Sequence, residues 1–308
     1  MRSIREIKNL NGKTVLLRVD WNVPIENGRV LDDFRIKRSM PTIEYLQNAG
    51  AKVIIATHLE PEEISTEILH DFIPKGSEIL ENLRKDPGEK NNSPEFAKSL
   101  ASRADMYVNE AFSASHRSHA SIIGVPKLLP SFAGLEFLSE VENLSKAFNP
   151  PHPFLLILGG AKFETKLPLV EKFLQIADSI HIAGLNAAAA LKMKISENSK
   201  VSLPLGDITA LDIDEANLNL LRTKINDAKF IIWNGPLGKY EDGYKEGTNK
   251  LAQILAESGK EVIVGGADTL AVIKELNLYD KFNFVSTGGG AMLEFLAKGT
   301  LPGIKALN

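Results

Sequence analysis

The chain has 308 residues, 44% of them hydrophobic and 24% charged, with a net charge of −3. That length allows two separate cores, and the slightly acidic balance excludes a basic surface for nucleic acid. The absence of cysteine excludes disulfides, thiolate catalysis and cysteine zinc sites. The opening residues Met1–Lys8 carry charge without an apolar core, so they do not read as a secretory signal. No apolar run is long enough to cross a bilayer, and a cytoplasmic protein is expected, with no nucleic-acid or membrane partner.

Thr14–Val19 reads as a strand that delivers Asp20, Trp21 and Asn22 at its carboxyl end. Asp32, Asp33, Phe34 and Arg35 precede a helix expected from about Ile36 to Ala49, closed by Gly50. Lys52–Ala56 is a second strand, ending at Thr57 and His58. After an acidic, turn-rich passage come Glu81, Asn82, Leu83 and Arg84, and a third strand, Met106–Val108, leads to Asn109 and the run Ser115–His119. Strands alternating with helices predict an α/β fold with a doubly wound parallel sheet, whose ligands sit beyond the carboxyl ends of the strands. Asp20, Asn22, Arg35, His58, Arg84 and Arg117 all fall there or in the loops that follow. One arginine alone reads as readily as a surface residue. Three converging with a histidine suit a small anion bearing phosphate and carboxylate, because guanidinium binds both in bidentate fashion. His116 and His119 have the look of a metal pair, but no third ligand cluster accompanies them.

A helix from about Gly134 to Ala147 leads to Asn149-Pro150-Pro151-His152-Pro153, which reads as the entry to a second domain. Phe154–Leu158 is five apolar residues in a row, a strand buried on both faces, and it stops at Gly159 and Gly160. Lys162 and Lys166 follow four residues apart; on a helix they share one face near its start. Two cations there oppose the helix dipole unless an anion sits between them. A solvated surface pair is the plain alternative, and the position just past a buried strand favours phosphate. Further strands end on glycine or polar residues: Ser179–Ile182, Phe230–Ile232 before Trp233 and Asn234, Val262–Val264 before Gly265–Thr269, and Phe284–Val285 before Ser286–Gly290. A helix run from Ala291 to Leu296 then follows three glycines whose amides form an anion site. No Walker A loop occurs.

These motifs resemble phosphoglycerate kinase nearly end to end. The resemblance rests on Arg18–Pro24, Asp33–Ile36, Glu81–Arg84 and His116–His119 in the first half. In the second half it rests on Gly159–Lys162 with Lys166, Trp233–Pro236 with Glu241, Asp268–Thr269 and Ser286–Ala291. It implies two Rossmann-like domains joined by a hinge, residues 1–148 for phosphoglycerate and 149–308 for nucleotide. The tail 296–308, with its Leu301-Pro302-Gly303-Ile304, would return to the first. The implied reaction is reversible phosphoryl transfer between 1,3-bisphosphoglycerate and ADP, with Mg²⁺, in a monomer. By resemblance Asp20, Asn22, Arg35, His58, Arg84 and Arg117 hold the triose. Lys162 and Lys166 neutralise phosphate, Asp268 holds Mg²⁺, Thr269 touches a phosphate, and Asn234 and Glu241 serve the nucleotide. The amides of Gly288, Gly289 and Gly290 face the transferring group. Arg35, Lys166, Gly288 and Gly289 are the expected catalytic set, assembled by domain closure.

The chain departs from the family pattern in places. Where the family reads His-Leu-Gly-Arg-Pro, this sequence has His58-Leu59-Glu60-Pro61, so an arginine is missing and an acid stands nearby. The connections from there to Glu81 and from Ala187 to Lys229 are short, and Asp214-Glu215-Ala216 replaces a Gly-Pro-Lys nucleotide contact. Two other readings follow: a catalytically weak or silent relative serving as a nucleotide-binding module, and a kinase for another small carboxylate. The intact lysine pair speaks for catalysis.

Overall fold

The computed structural model describes residues 1–161 and 163–308, so the expectation for Lys162 lies outside the described residues. The chain forms two compact units, residues 1–142 with 300–308, and residues 143–299.

In the first unit the strands are β1 (Thr14–Arg18), β2 (Ile25–Glu26), β3 (Arg29–Val30), β4 (Lys52–Ala56), β5 (Ser77–Ile79), β6 (Met106–Asn109) and β7 (Ser131–Ala133). Its helices are α1 (Phe34–Asn48), α2 (Pro87–Lys90), α3 (Pro94–Ala101) and α4 (Leu135–Ser145), the last crossing the division between the units. Five strands form one parallel sheet in the order β5-β4-β1-β6-β7, and β2 and β3 make a separate hairpin. The central strand β1 buries Val15, Leu16 and Leu17 completely or nearly so, as a strand covered on both faces must. Helix α1 starts at Phe34, two residues earlier than expected, because the Asp32 carboxylate accepts the Phe34 amide at 2.9 Å and nucleates the first turn. Arg35 therefore stands in that first turn. The short connection after His58 keeps a strand, β5, but replaces any full helix with a 3-10 run over Thr66–Phe72.

The second unit carries β8 (Phe154–Leu158), β9 (Ser179–Ile182), β10 (Val201–Ser202), β11 (Phe230–Asn234), β12 (Glu261–Gly265) and β13 (Phe284–Ser286). Its helices are α5 (Leu167–Phe173), α6 (Asn186–Lys192), α7 (Glu215–Asp227), α8 (Glu246–Glu257), α9 (Ala267–Glu275) and α10 (Gly290–Lys298). The sheet runs β10-β9-β8-β11-β12-β13, all parallel. Numbered along the chain this is 3-2-1-4-5-6, the doubly wound order whose direction reverses between β8 and β11. Phe154, Leu155, Leu156, Ile157 and Leu158 are all buried, and Phe154 packs on Phe173 and Phe230 with ring centroids 5.8 and 5.2 Å apart. Lys166 stands at the threshold of a helix and not within it: Phe163–Thr165 is a 3-10 turn and α5 starts at Leu167, leaving Lys166 at the N-cap. The final helix, α11 (Pro302–Ala306), belongs to the first unit, where the Gly303 amide donates to the Ser115 carbonyl at 2.8 Å.

Candidate active site

In the first unit the sheet reverses direction between β1 and β6, and the polar cluster grows from that edge. Asp20 lies just beyond β1. Its Oδ2 receives Arg35 Nη1 at 2.6 Å and the Ser113 hydroxyl, and its Oδ1 lies 3.9 Å from His58 Nδ1. Burial alone would push this carboxyl up; Arg35, His58, Ser113 and Arg18 together hold it down at about 2. Arg35 also donates to the Asn22 carbonyl at 3.3 Å. His58 is 5% exposed, and burial together with the Arg18, Arg84 and Arg35 guanidiniums lowers its pKa well below the ordinary histidine value. It is therefore neutral at pH 7, with Nδ1 3.1 Å from Arg18 Nη2.

Arg84 is buried, and its Nη1 is paired with the Glu60 carboxylate. The amide of Glu60 donates to Asn22 Oδ1 at 3.0 Å. Arg117 is exposed, beyond the cluster's buried centre, yet close enough to act on His119. His119 is pushed down to about 4, first by burial and then by Arg84, Arg18, Arg117 and Lys90. The expected convergence of Arg35, Arg84 and His58 is thus present, while Arg117 stands at its rim. His116 Nδ1 faces the Ser113 carbonyl at 2.8 Å, and among the described residues no group of three or more His, Asp or Glu converges as a metal set.

Arg18 was legible only as part of a motif, yet it is a main structural support. It is fully buried, with Nε on Ser121 Oγ at 2.9 Å, a second nitrogen on the Val19 carbonyl at 2.5 Å, and Nη2 4.0 Å from Glu89 Oε1. Glu89, also buried, accepts the Ser121 amide at 2.9 Å and its hydroxyl at 2.6 Å. An arginine inside an apolar strand demands a buried counter-charge, but nothing in the local sequence points to Glu89, 71 residues on.

In the second unit the β8 and β11 ends pack backbone to backbone. The Gly159 amide donates to the Asn234 carbonyl at 2.9 Å, and Gly160 to the Pro236 carbonyl at 2.7 Å. A Cβ on Gly159 would stand 2.0 Å from the Pro236 oxygen, so glycine is required by the approach itself. The Gly159 carbonyl in turn receives the Lys166 ammonium and Asn186 Nδ2, the latter at 2.7 Å. Lys166 is 6% exposed, and burial draws its pKa down to about 8 against the pull of Asp268. Asp268, in the first turn of α9, is half-buried and its carboxyl is raised by burial and by Glu241, with Lys166 opposing. Between these loops lies a cleft lined by Gly160, Pro236, Tyr240, Glu241 and Asp268 among others.

Two of the expected nucleotide ligands lie beneath this cleft. Thr269 is buried and its hydroxyl accepts the Gly235 amide at 3.0 Å; Asn234 is buried with Nδ2 3.7 Å from Met292 Sδ. Gly288 donates to Ser286 Oγ at 3.1 Å, whereas Gly289 and Gly290 open α10, where a helix leaves its first amides unused. A second hollow adjoins Gly184 and Leu237 and is lined by Leu205, Asp207 and Asp212. Asp214 caps α7 by accepting the Asn217 amide at 2.9 Å.

Two doubly wound parallel sheets, each with charged side chains gathered at its carboxyl edge, define the class: an α/β protein of two doubly wound units. The family model described as phosphoglycerate kinase matches residues 4–68, 65–203 and 186–299. The phosphoglycerate kinase of Dictyoglomus turgidum is 36% identical over 382 residues, covering 97% of this chain and 96% of the relative. That of Fervidobacterium nodosum is 36% identical over 392 residues, covering 99% and 98%. The solved phosphoglycerate kinase of Pyrococcus horikoshii superimposes with a TM-score of 0.86 at 27% identity, covering 100% and 98%. That of Coxiella burnetii gives 0.83 at 31%, covering 99% and 98%.

The chain belongs to the phosphoglycerate kinase family. Its activity is that of a phosphoglycerate kinase, with a nucleotide as one substrate. Alignments longer than the 308 residues of the chain mean that the relatives carry stretches absent here. The matched segments meet at residues 65–68 and 186–203, inside the two connections that read as short.

Proposed function

We propose that the first unit binds 3-phosphoglycerate through Asp20, Asn22, Arg35, His58, Arg84 and Arg117, and that the second binds ADP or ATP around Lys162, Lys166, Glu241 and Asp268. Thr269 and Asn234 support the nucleotide site from below by fixing the loop after β11, and the amides of Gly288, Gly289 and Gly290 serve the transferring phosphoryl group. The observation that carries this reading is Lys166: a cation buried at the switch point of the second sheet, with a carboxylate acting on it. Burying such a charge is costly unless an anion arrives to share it.

Asp268 suits Mg²⁺. Its carboxyl is half-buried beside Glu241, an acidic oxygen environment that a hard divalent cation relieves. When bound with nucleotide, the ion would neutralise phosphate charge. Phosphoryl transfer needs positioning and charge neutralisation more than covalent chemistry. Arg35 and Lys166 supply fixed positive charge, and the Asp20 carboxylate holds Arg35 in one orientation. His58 stays neutral and offers a ring nitrogen to the triose. We read the protein as a cytoplasmic monomer; among the described residues no helix is long and apolar enough to cross a membrane.

ADP release from Mg-ATP, measured with and without 3-phosphoglycerate, tests the reading. Turnover that depends on the triose is expected. ATP binding with no such turnover would overturn it.

A further inference from the structure

Glu60 sits among the residues assigned to the triose. Its carboxylate is paired with Arg84, and its backbone amide holds the Asn22 side-chain oxygen at 3.0 Å. Arg84 is nine-tenths buried, and its Nε, also buried, has no hydrogen-bond partner among the described residues. A guanidinium in that state keeps donor capacity that the Glu60 carboxylate does not use. The Glu60 side chain, by contrast, is 59% exposed and can leave without unfolding anything.

The loop that carries Glu60 is held in place independently. Asn82 Nδ2 shares its two N–H donors among the carbonyls of Leu59, Glu62 and Ile64, at 3.1, 3.0 and 3.0 Å, and Asn82 Oδ1 accepts the amides of Leu59 and Arg84, both at 3.1 Å. One side chain thus ties the loop and the Arg84 backbone together, so the Glu60–Arg84 pair is preorganised. Lys85, next in sequence to Arg84, is turned away and pairs with Glu81 at 3.1 Å.

We propose that Glu60 is a built-in competitor: its carboxylate occupies Arg84 in the free enzyme and must be displaced by the incoming phosphate of the substrate. This deepens the triose-site reading and rests on it. Displacement works because a phosphate dianion offers more charge and more acceptor oxygens to one guanidinium than a single carboxylate does. The pair therefore sets how much triose is needed to fill the site, and it leaves the transfer step alone.

The test is a mutant cycle with Glu60→Gln, Arg84→Gln and the double variant, reading calorimetric affinity for inorganic phosphate and for 3-phosphoglycerate, and KM against kcat. Glutamine keeps the length and the Glu60 amide contact, and thermal melts check that each variant folds. Glu60→Gln is expected to tighten both ligands and lower the triose KM by roughly fivefold, with kcat unchanged. That gain is expected to vanish when Arg84 is also replaced. Unchanged or weaker affinity in Glu60→Gln, or a gain that persists without Arg84, would overturn the proposal. The phosphate arm is read whether or not the protein turns over. Absence of triose-dependent turnover in the unaltered enzyme would therefore count against the functional reading alone.

Discussion

Arg35 Nη1 lies 2.6 Å from Asp20 Oδ2, joining the first turn of α1 to the loop that leaves β1. The carboxyl is 8% exposed and held at about 2, below its ordinary 3.8. A depressed carboxylate adds stability that is complete above its unfolded pKa and is lost as pH falls through the folded one. Asp20→Asn is therefore expected to cost about 2 kcal/mol at pH 7. Its urea-unfolding stability should also fall less steeply than that of the unaltered protein between pH 4 and 2; parallel acid limbs would refute the assignment.

Lys166 shifts stability with pH in the same direction as Asp20, but here it is the charged form that the fold disfavours. Its amine is drawn from 10.5 to about 8, so between those values the unfolded chain holds more proton than the folded one. Stability from this group rises with pH across that window, while positive charge in the site declines. Nucleotide affinity is expected to weaken from pH 7 to 9.5, a trend that Lys166→Met should lack. The same variant should lose about 100- to 1,000-fold in kcat, the scale for removing one positioned charge donor. Turnover within a factor of a few of the unaltered enzyme would exclude a direct role.

Glu110 is buried beneath α4 and accepts the Glu136 and Phe137 amides, each at 3.0 Å, together with the Thr42 hydroxyl. Burial raises its pKa to about 7, and Glu136 is likewise raised to about 8 by burial and the nearby Glu140. Folded carboxyls that retain protons longer than unfolded ones make stability fall as pH rises from about 4.5 to 8. Glu110→Gln should flatten part of that decline. Chemical unfolding at pH 5, 6.5 and 8 measures it, and identical slopes for both proteins would dismiss the idea.

Gly159→Ala places a methyl 2.0 Å from the Pro236 oxygen and 2.7 Å from that of Gly235, both backbone atoms with no rotamer to yield. A loss of about 1–3 kcal/mol is expected. Activity should fall further than stability implies, since the carbonyl receiving Lys166 shifts with the loop. Kinetics at a temperature where the variant remains folded separate the two effects.

The parts of the fold written in short-range pattern were legible. The unbroken apolar run Phe154–Leu158 and the strand before Asp20 could be read because strands buried on both faces need nothing but apolar side chains. β5, β7 and β10 escaped notice: each has only two or three residues and takes its form from a neighbouring strand. Side-chain partners across long separations were also hidden. Glu60 was visible as an oddity beside His58, but its hold on Arg84 spans 24 residues, and the Arg18–Glu89 pair spans more. The lysine spacing misled in one respect, since four residues suggest a helical face, whereas a 3-10 turn precedes Lys166.

The return of residues 300–308 to the first unit has a consequence for synthesis. Residues 143–299 form an uninterrupted stretch, so the second unit can close on itself as soon as that stretch has emerged from the ribosome. The first unit, although translated earlier, lacks the segment whose Gly303 docks on Ser115 until the final residues appear. The half made first is thus the half finished last: a chain whose second unit has just cleared the ribosome would carry it complete while the first unit still lacked its closing segment.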